Sequence, residues 1–420
     1  MLKQTLVLAC LVVGCTKRSE KYCATHDDPR CGPATDAPVS CTDNNACAML
    51  AATPFCDVPN MTCVECRDSN DCRASAPVCG GDKACHGCTQ HGECPADACL
   101  PDGTCGTSEN VAYVEAGGHP GPCDIAAPCD KVADALLTGK PFIKITGDRD
   151  EAVSIASGTV TLLAAPNARL RTGSGVILEV RTDAHVSVYD LTIGPASPTN
   201  VTCVSMPAGT SGSLDLHRVK VEHCSAATGA INVVAGTFTL DQSVVSENLG
   251  GGLSIGSGAQ FTIRNNFIIE NGKGFGSGQS TIGGALITGS DTVANQFFEY
   301  NTVANNGTNG ALYRGGATCT GTMVSAIGNI FYGNAEANTS TDTTQNGGTC
   351  GFGNSFAKAM VAGNLGFDLT NTPGNYHIGP AAAEVLDVAG DCTASTRTDI
   401  DGQDRPFGTQ CDLGADEYHP

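Results

Sequence analysis

From residue 186 onward one short template recurs: an apolar residue, any residue, an apolar residue, two variable residues, an inward position, any residue, and a final apolar residue. It reads Val186-Val188-Leu191-Ile193, Leu214-Leu216-Val219-Val221, Phe238-Leu240-Ser243-Val245 and Phe261-Ile263-Asn266-Ile268. It continues as Gln296-Phe298-Asn301-Val303, Val324-Ala326-Asn329-Phe331 and Ala359-Val361-Asn364-Gly366. The starts are 28, 24, 23, 35, 28 and 35 residues apart. Alternation of apolar and polar residues is the pattern of a half-buried strand, and so short a unit cannot close a core alone. Stacked copies bury one continuously. A base period near 23 residues with insertions therefore predicts an all-β fold, a parallel β-helix whose coils each supply short strands.

Two asparagine columns keep the same register. Asn266, Asn301, Asn329 and Asn364 share one template position, and Asn248, Asn271, Asn306 and Asn334 share another. Stacked amides can bond side chain to side chain and so satisfy polar groups at buried bends. Cysteines add a check on the period. Cys203 and Cys224 are 21 residues apart, about one coil, and neighbouring strands stack at ~4.8 Å, a reach that suits a disulfide. Cys319 with Cys350 reads as the same device across an insertion, while Cys123 with Cys129 and Cys392 with Cys411 read as local clips.

Upstream of the template, Tyr113-Val114, Phe142 to Ile145, Val153 to Ile155 and Val160 to Leu163 are strand-like runs between turn residues. One helix is expected from Pro128 to Leu137, with Val132 and Leu136 on one face and Gly139 just past its end. Its place at the start of the series suits a cap over an open sheet end.

Between residues 41 and 105 the chain changes character. Three four-cysteine units follow one another: Cys41, Cys47, Cys56 and Cys63; Cys66, Cys72, Cys79 and Cys85; Cys88, Cys94, Cys99 and Cys105. The intervening residues show almost no apolar periodicity, so disulfides must supply the stability, each worth ~2–4 kcal/mol. Cys63-x2-Cys66 and Cys85-x2-Cys88 have the spacing of a zinc site, but choosing those four would break the repeat. The whole chain holds 24 cysteines, which points to an oxidising compartment.

The N-terminus agrees. Met1-Leu2-Lys3 precedes an apolar run from Leu6 to Val13, too short to span a bilayer, which reads as an export signal. Leu11-Val12-Val13-Gly14-Cys15 resembles a bacterial lipobox, making Cys15 the acylated residue. Cys10 leaves with the signal, and the 22 cysteines that then remain can pair completely. The expected organisation is a signal over 1–14, a lipid-anchored tether over 15–40 and a cysteine-rich module over 41–106. The β-helix follows over 110–390, with a disulfide-clipped tail over 391–420. Lipid acylation implies a membrane partner and an outer-membrane or cell-surface location in a Gram-negative bacterium.

Residues about 110 to 390 resemble the right-handed parallel β-helix, or pectin-lyase-like, superfamily. Tyr113-Val114-Glu115-Ala116-Gly117-Gly118, with the segment after Ala127, is similar to the first coil of such exported proteins. The tail Asp399-Ile400-Asp401-Gly402-Gln403-Asp404-Arg405-Pro406, then Cys411-Asp412-Leu413-Gly414-Ala415-Asp416-Glu417-Tyr418, resembles the terminal motif of bacterial choice-of-anchor Q proteins. Cysteine-rich repeats ahead of a β-helix resemble myxobacterial surface lipoproteins. These families share an architecture and no single activity.

A formal net charge of −20 leaves no basic field for nucleic acid. Superfamily members that cleave acidic polysaccharide use carboxylates that hold calcium with a basic residue, or paired acids. Here one outward column collects such chemistry, with Tyr189, His217, Asp241 and Arg264 on successive coils and Asp190, Arg218, Gln242 and Asn265 beside them. Asp399, Asp401 and Asp404 form a weak calcium-loop pattern without the distal glutamate of an EF-hand. No cofactor is otherwise implied, and tryptophan, a common sugar platform, is absent. Loops near 276–292, 307–322 and 335–356, all in the C-terminal coils, are rich in Gly, Ser, Thr and Asn and are where a binding face is expected. The expected function is non-catalytic binding of surface or extracellular polysaccharide; the alternative is a polysaccharide lyase or glycoside hydrolase. The sequence sets no oligomeric state.

Overall fold

The computed structural model describes residues 40–272, 282–290, 295–308, 314–321, 325–336, 345–349, 351–358, 367, 376–390, 392 and 397–420. The signal, Cys15, the tether up to residue 39, Cys350 and Asn364 lie outside them, as do parts of the three C-terminal loops. Contacts divide the chain into two compact units, split between Cys105 and Gly106.

In the first unit every four-cysteine repeat has the same construction. A 3-10 turn sits between the first and second cysteines, as in Asn44–Ala46, Ser69–Asp71 and His91–Glu93. The third and fourth cysteines oppose each other across an antiparallel pairing: Cys56 with Cys63, Cys79 with Cys85, and Cys99 with Cys105. Disulfides then join first to third and second to fourth: Cys41–Cys56 and Cys47–Cys63, Cys66–Cys79 and Cys72–Cys85, Cys88–Cys99 and Cys94–Cys105. Each pair thus ties the turn to both strands of its hairpin. Cys63, Cys66, Cys85 and Cys88 fall in four different disulfides, so the zinc spacing holds no free thiol.

The second unit is a parallel β-helix. One coil runs Val201–Met206, Ser213–His217 and Lys220–Glu222, a strand for each of three faces. The third face is a sheet of nine strands from Asp148–Asp150 to Phe356–Lys358, in chain order throughout. The other two faces merge because Ile231–Asp241 and Leu253–Arg264 run through the corner between them. Apolar template positions stack in register, as Val188, Leu216, Leu240, Ile263 and Phe298 do in one fully buried column. Ile193, Val221, Val245, Ile268, Val303 and Phe331 make another.

Both asparagine columns are buried ladders. Asn266 Nδ2 donates to Asn301 Oδ1 at 2.9 Å and Asn301 Nδ2 to Asn329 Oδ1 at 3.1 Å. In the second column Asn248, Asn271, Asn306 and Asn334 are linked in the same way, and Gln345 Oε1 accepts from Asn334 at the end. The final template copy is corrected. Phe356–Lys358 pairs with Ile330–Tyr332, so that coil is shorter than the 35 residues expected, and Ser355 Oγ accepts from the Asn329 amide where Asn364 was expected.

The helix is shorter than expected, Val132–Leu136. Cys129 is instead drawn into a bridge with Val114 and into the Cys123–Cys129 disulfide, which keeps the preceding residues extended. Glu151 from the next coil accepts from the Val132 and Ala133 amides, supplying the cap that Lys131 does not. Cys203 bonds Cys224, and Cys392 bonds Cys411. Cys319 is disulfide-bonded too.

The tail covers the C-terminal half of the third face. Tyr376, Ile378, Leu413 and Ala415 pack with Phe267, Ile269, Tyr300, Ala304, Ile330 and Tyr332 in one apolar cluster. Its backbone is fastened by Ala415 N to Thr302 Oγ1 at 3.0 Å and Gly414 N to the Gly328 carbonyl at 2.7 Å. Gly328 is the one glycine in a column of left-handed turns, and a Cβ there would lie 2.9 Å from the Tyr300 ring.

Candidate functional site

Strand alternation turns every second residue of the middle face outward. Parallel pairing sets Tyr189 beside His217, His217 beside Asp241, Asp241 beside Arg264, and Arg264 beside Glu299. A second outward row, Ser187, Asp215, Thr239 and Thr262, runs alongside. The chain then leaves this face through a tight turn in which Asp190, Arg218, Gln242, Asn265 and Tyr300 all have positive φ. Such a backbone is strained for residues with a side chain, so its repetition marks a turn held by packing on both sides.

Within the column the side chains form two separate groups. Tyr189 and His217 stack with ring centroids 4.9 Å apart, and His217 Nδ1 is 3.8 Å from Asp241. Arg218 forks onto Asp190 at 2.7 and 2.9 Å and lies over the Tyr189 ring. That bond to Asp190 raises the Arg218 pKa, and burial first of all raises that of the Tyr189 hydroxyl. Arg264 turns the other way, to Glu299 at 2.8 Å and over the Phe297 ring. Its side chain is 14% exposed and that of Glu299 4%, so this guanidinium is fixed in a largely buried ion pair. The four residues expected together therefore share a column without meeting at one point. Glu299 was missed because it follows a long insertion and sits where the template has a variable residue.

Around the corner, where the tail cover ends, lies a cleft of about 500 Å³ lined by Arg218, Lys220, Gln242, Phe267, His377 and Asp401, among others. Gln242 Nε2 donates to the Asp399 carbonyl at 2.6 Å and so joins turn to tail. His377 Nδ1 lies 3.1 Å from Asp416 and 3.3 Å from Asp401. The bond to Asp416, ahead of opposing burial, raises the His377 pKa, while burial raises that of Asp401.

The three aspartates of the weak calcium-loop pattern have different surroundings. Asp399 is fully buried and spends its oxygens on the amides of Asp401, Gln403 and Glu417. Asp404 is exposed and forms a backbone bridge with Thr398, so the three carboxylates do not gather as a ligand set. Asp401 converges instead with His377 and Asp416. No described helix is long and apolar enough to cross a membrane.

No family model matches the sequence. No curated protein matches it. Among solved structures the chain is similar to the crystal structure of pectate lyase Pel9A, at a TM-score of 0.44 and 12% identity, covering 74% of this chain and 97% of that one. This likeness concerns the fold alone.

Proposed function

We propose that this chain is an exported, lipid-anchored surface protein whose β-helix binds polysaccharide along its middle face without cleaving it. The observation that carries this reading is the pairing within the column. Arg218 is held by Asp190 and Arg264 by Glu299, while His217 lies against Asp241. Proton abstraction from a sugar needs a base within reach of the substrate and unspent on the fold. Arg264, the basic residue suited to a lyase, is instead locked to a largely buried carboxylate.

Binding needs less. Serine, threonine, aspartate and tyrosine side chains repeat on the face at the coil spacing of ~4.8 Å, close to the rise of one sugar ring in an extended polymer. Donors and acceptors set on rigid strands need little ordering on binding. The anchor rests on the lipobox at Cys15 and on the cysteine-rich composition, which suits an oxidising exterior.

Both halves are testable on the full chain. Palmitate labelling in a bacterial host is expected to vanish in Cys15→Ala. Detergent-solubilised protein is expected to be retained on an insoluble polysaccharide, with retention lost in Tyr189→Ala/Asp241→Ala. Retention on no polysaccharide of a broad panel would remove the binding reading.

A further inference from the structure

We infer that the middle face selects glycans that carry free amino groups over glycans that carry uronic acids. The inference rests on the reading of that face as the polysaccharide-binding surface and names the chemistry it prefers.

It starts from which charges the fold has already used. On this face and its turn, the half-exposed Arg218 is already paired with Asp190, and Arg264 is held by Glu299 in a largely buried pair, so each guanidinium has a carboxylate partner within the fold. Asp215 differs. It stands at the centre of Ser213–His217, half-buried, with its side chain pointing outward and making no hydrogen bond or ion pair to any described residue. Its neighbours in register are Ser187 on one coil and Thr239 on the next, and His217 and its register partner Tyr189 lie two residues further along the strands. The Asp215 charge is felt at the Tyr189 hydroxyl, and its sign helps to keep that hydroxyl protonated.

The face thus offers one unspent carboxylate between two hydroxyls, each one coil away. A protonated amine on a sugar ring supplies the missing cation, and its own hydroxyls meet Ser187 and Thr239 at the coil repeat. A uronate would bring a second anion against Asp215 in a partly desolvated setting, where like charges repel most strongly. The net charge of −20 adds a long-range term of the same sign at low salt.

The test is calorimetric titration of the full chain with glucosamine oligosaccharides, their N-acetylated counterparts and oligogalacturonates, at mildly acidic pH and low salt. The glucosamine series is expected to bind about tenfold or more tightly than the acetylated series, the scale of one charge-assisted contact. Asp215→Asn is expected to erase that preference by bringing the glucosamine affinity down to that of the acetylated series. Because the Asp215 carboxylate bonds to no described residue, the variant should unfold at the same temperature as the parent, which a melting curve checks. Equal or tighter binding of oligogalacturonate, or a preference that survives Asp215→Asn, would overturn the inference while leaving the face a glycan-binding surface. Binding of no oligosaccharide in any series would remove the underlying reading along with it.

Discussion

Asparagine is the residue that best fits the interior bend of this helix, and its valences explain why. Asn301 Oδ1 accepts from both the amide and Nδ2 of Asn266, while its own Nδ2 donates to the Ile263 carbonyl and to Asn329 Oδ1. All four side-chain positions are filled in a site with no exposure. Truncation strands partners on the coil before and the coil after at once, and each buried orphan costs ~1–3 kcal/mol. Asn301→Ala is therefore expected to lose about 2–4 kcal/mol in denaturant unfolding, at the upper end for a single substitution. A loss below about 1 kcal/mol would mean that the ladder merely fills space. The columns were legible in the sequence because a ladder needs one amide per coil at constant register. Its last members were not. Ser355 and Gln345 complete the bonding with different side chains, which only the fold brings into line with the columns.

Among the elements, the apolar core strands could be read from alternation alone, and the pairing of Val186 with Leu214 and Leu214 with Phe238 follows the template separations. The tail could not be read this way. It has no repeat, and its contacts join residues far apart in sequence, such as Gln242 with Asp399. What fixes it is carboxylates that accept backbone amides, including Asp412, Asp416 and Glu417, around the buried Arg405. This construction makes the tail sensitive to pH. His377 has a folded pKa raised above 6.5 by Asp416. Its contribution is thus fully present below pH 6.5 and is lost as the pH climbs through the raised folded value. Burial raises the pKa values of Asp401, Asp412 and Glu417, which gives a loss of the same sign starting lower, near their ordinary range. The unfolding temperature is expected to fall on going above pH 6.5, and to fall less in His377→Gln. An identical pH slope in the two proteins would rule out His377 as the titrating group.

At the level of the whole molecule, a repeat read from sequence gave the architecture, while the chemistry depended on pairings that alternation leaves open. The sequence could place Tyr189, His217, Asp241 and Arg264 on one outward line, yet which neighbour each would choose is a matter of side-chain reach. Arg264 chose Glu299 on the coil beyond an insertion, and the proposal of a binding face in place of a reactive one rests on that choice. The cysteine-rich unit is legible for a different reason. Its stability comes from covalent links whose spacing is written in the chain, although the first-to-third and second-to-fourth pairing needed the hairpins to be seen. The central claim is that the middle face holds a polysaccharide and leaves its bonds intact. The most direct measurement is prolonged incubation of the full chain with the polysaccharides that retain it, followed by assay for unsaturated and reducing-end products, with and without added calcium. The account predicts saturable binding and no product above the level of heat-inactivated protein. Product that accumulates with protein concentration and disappears in His217→Ala or Arg264→Ala would contradict it.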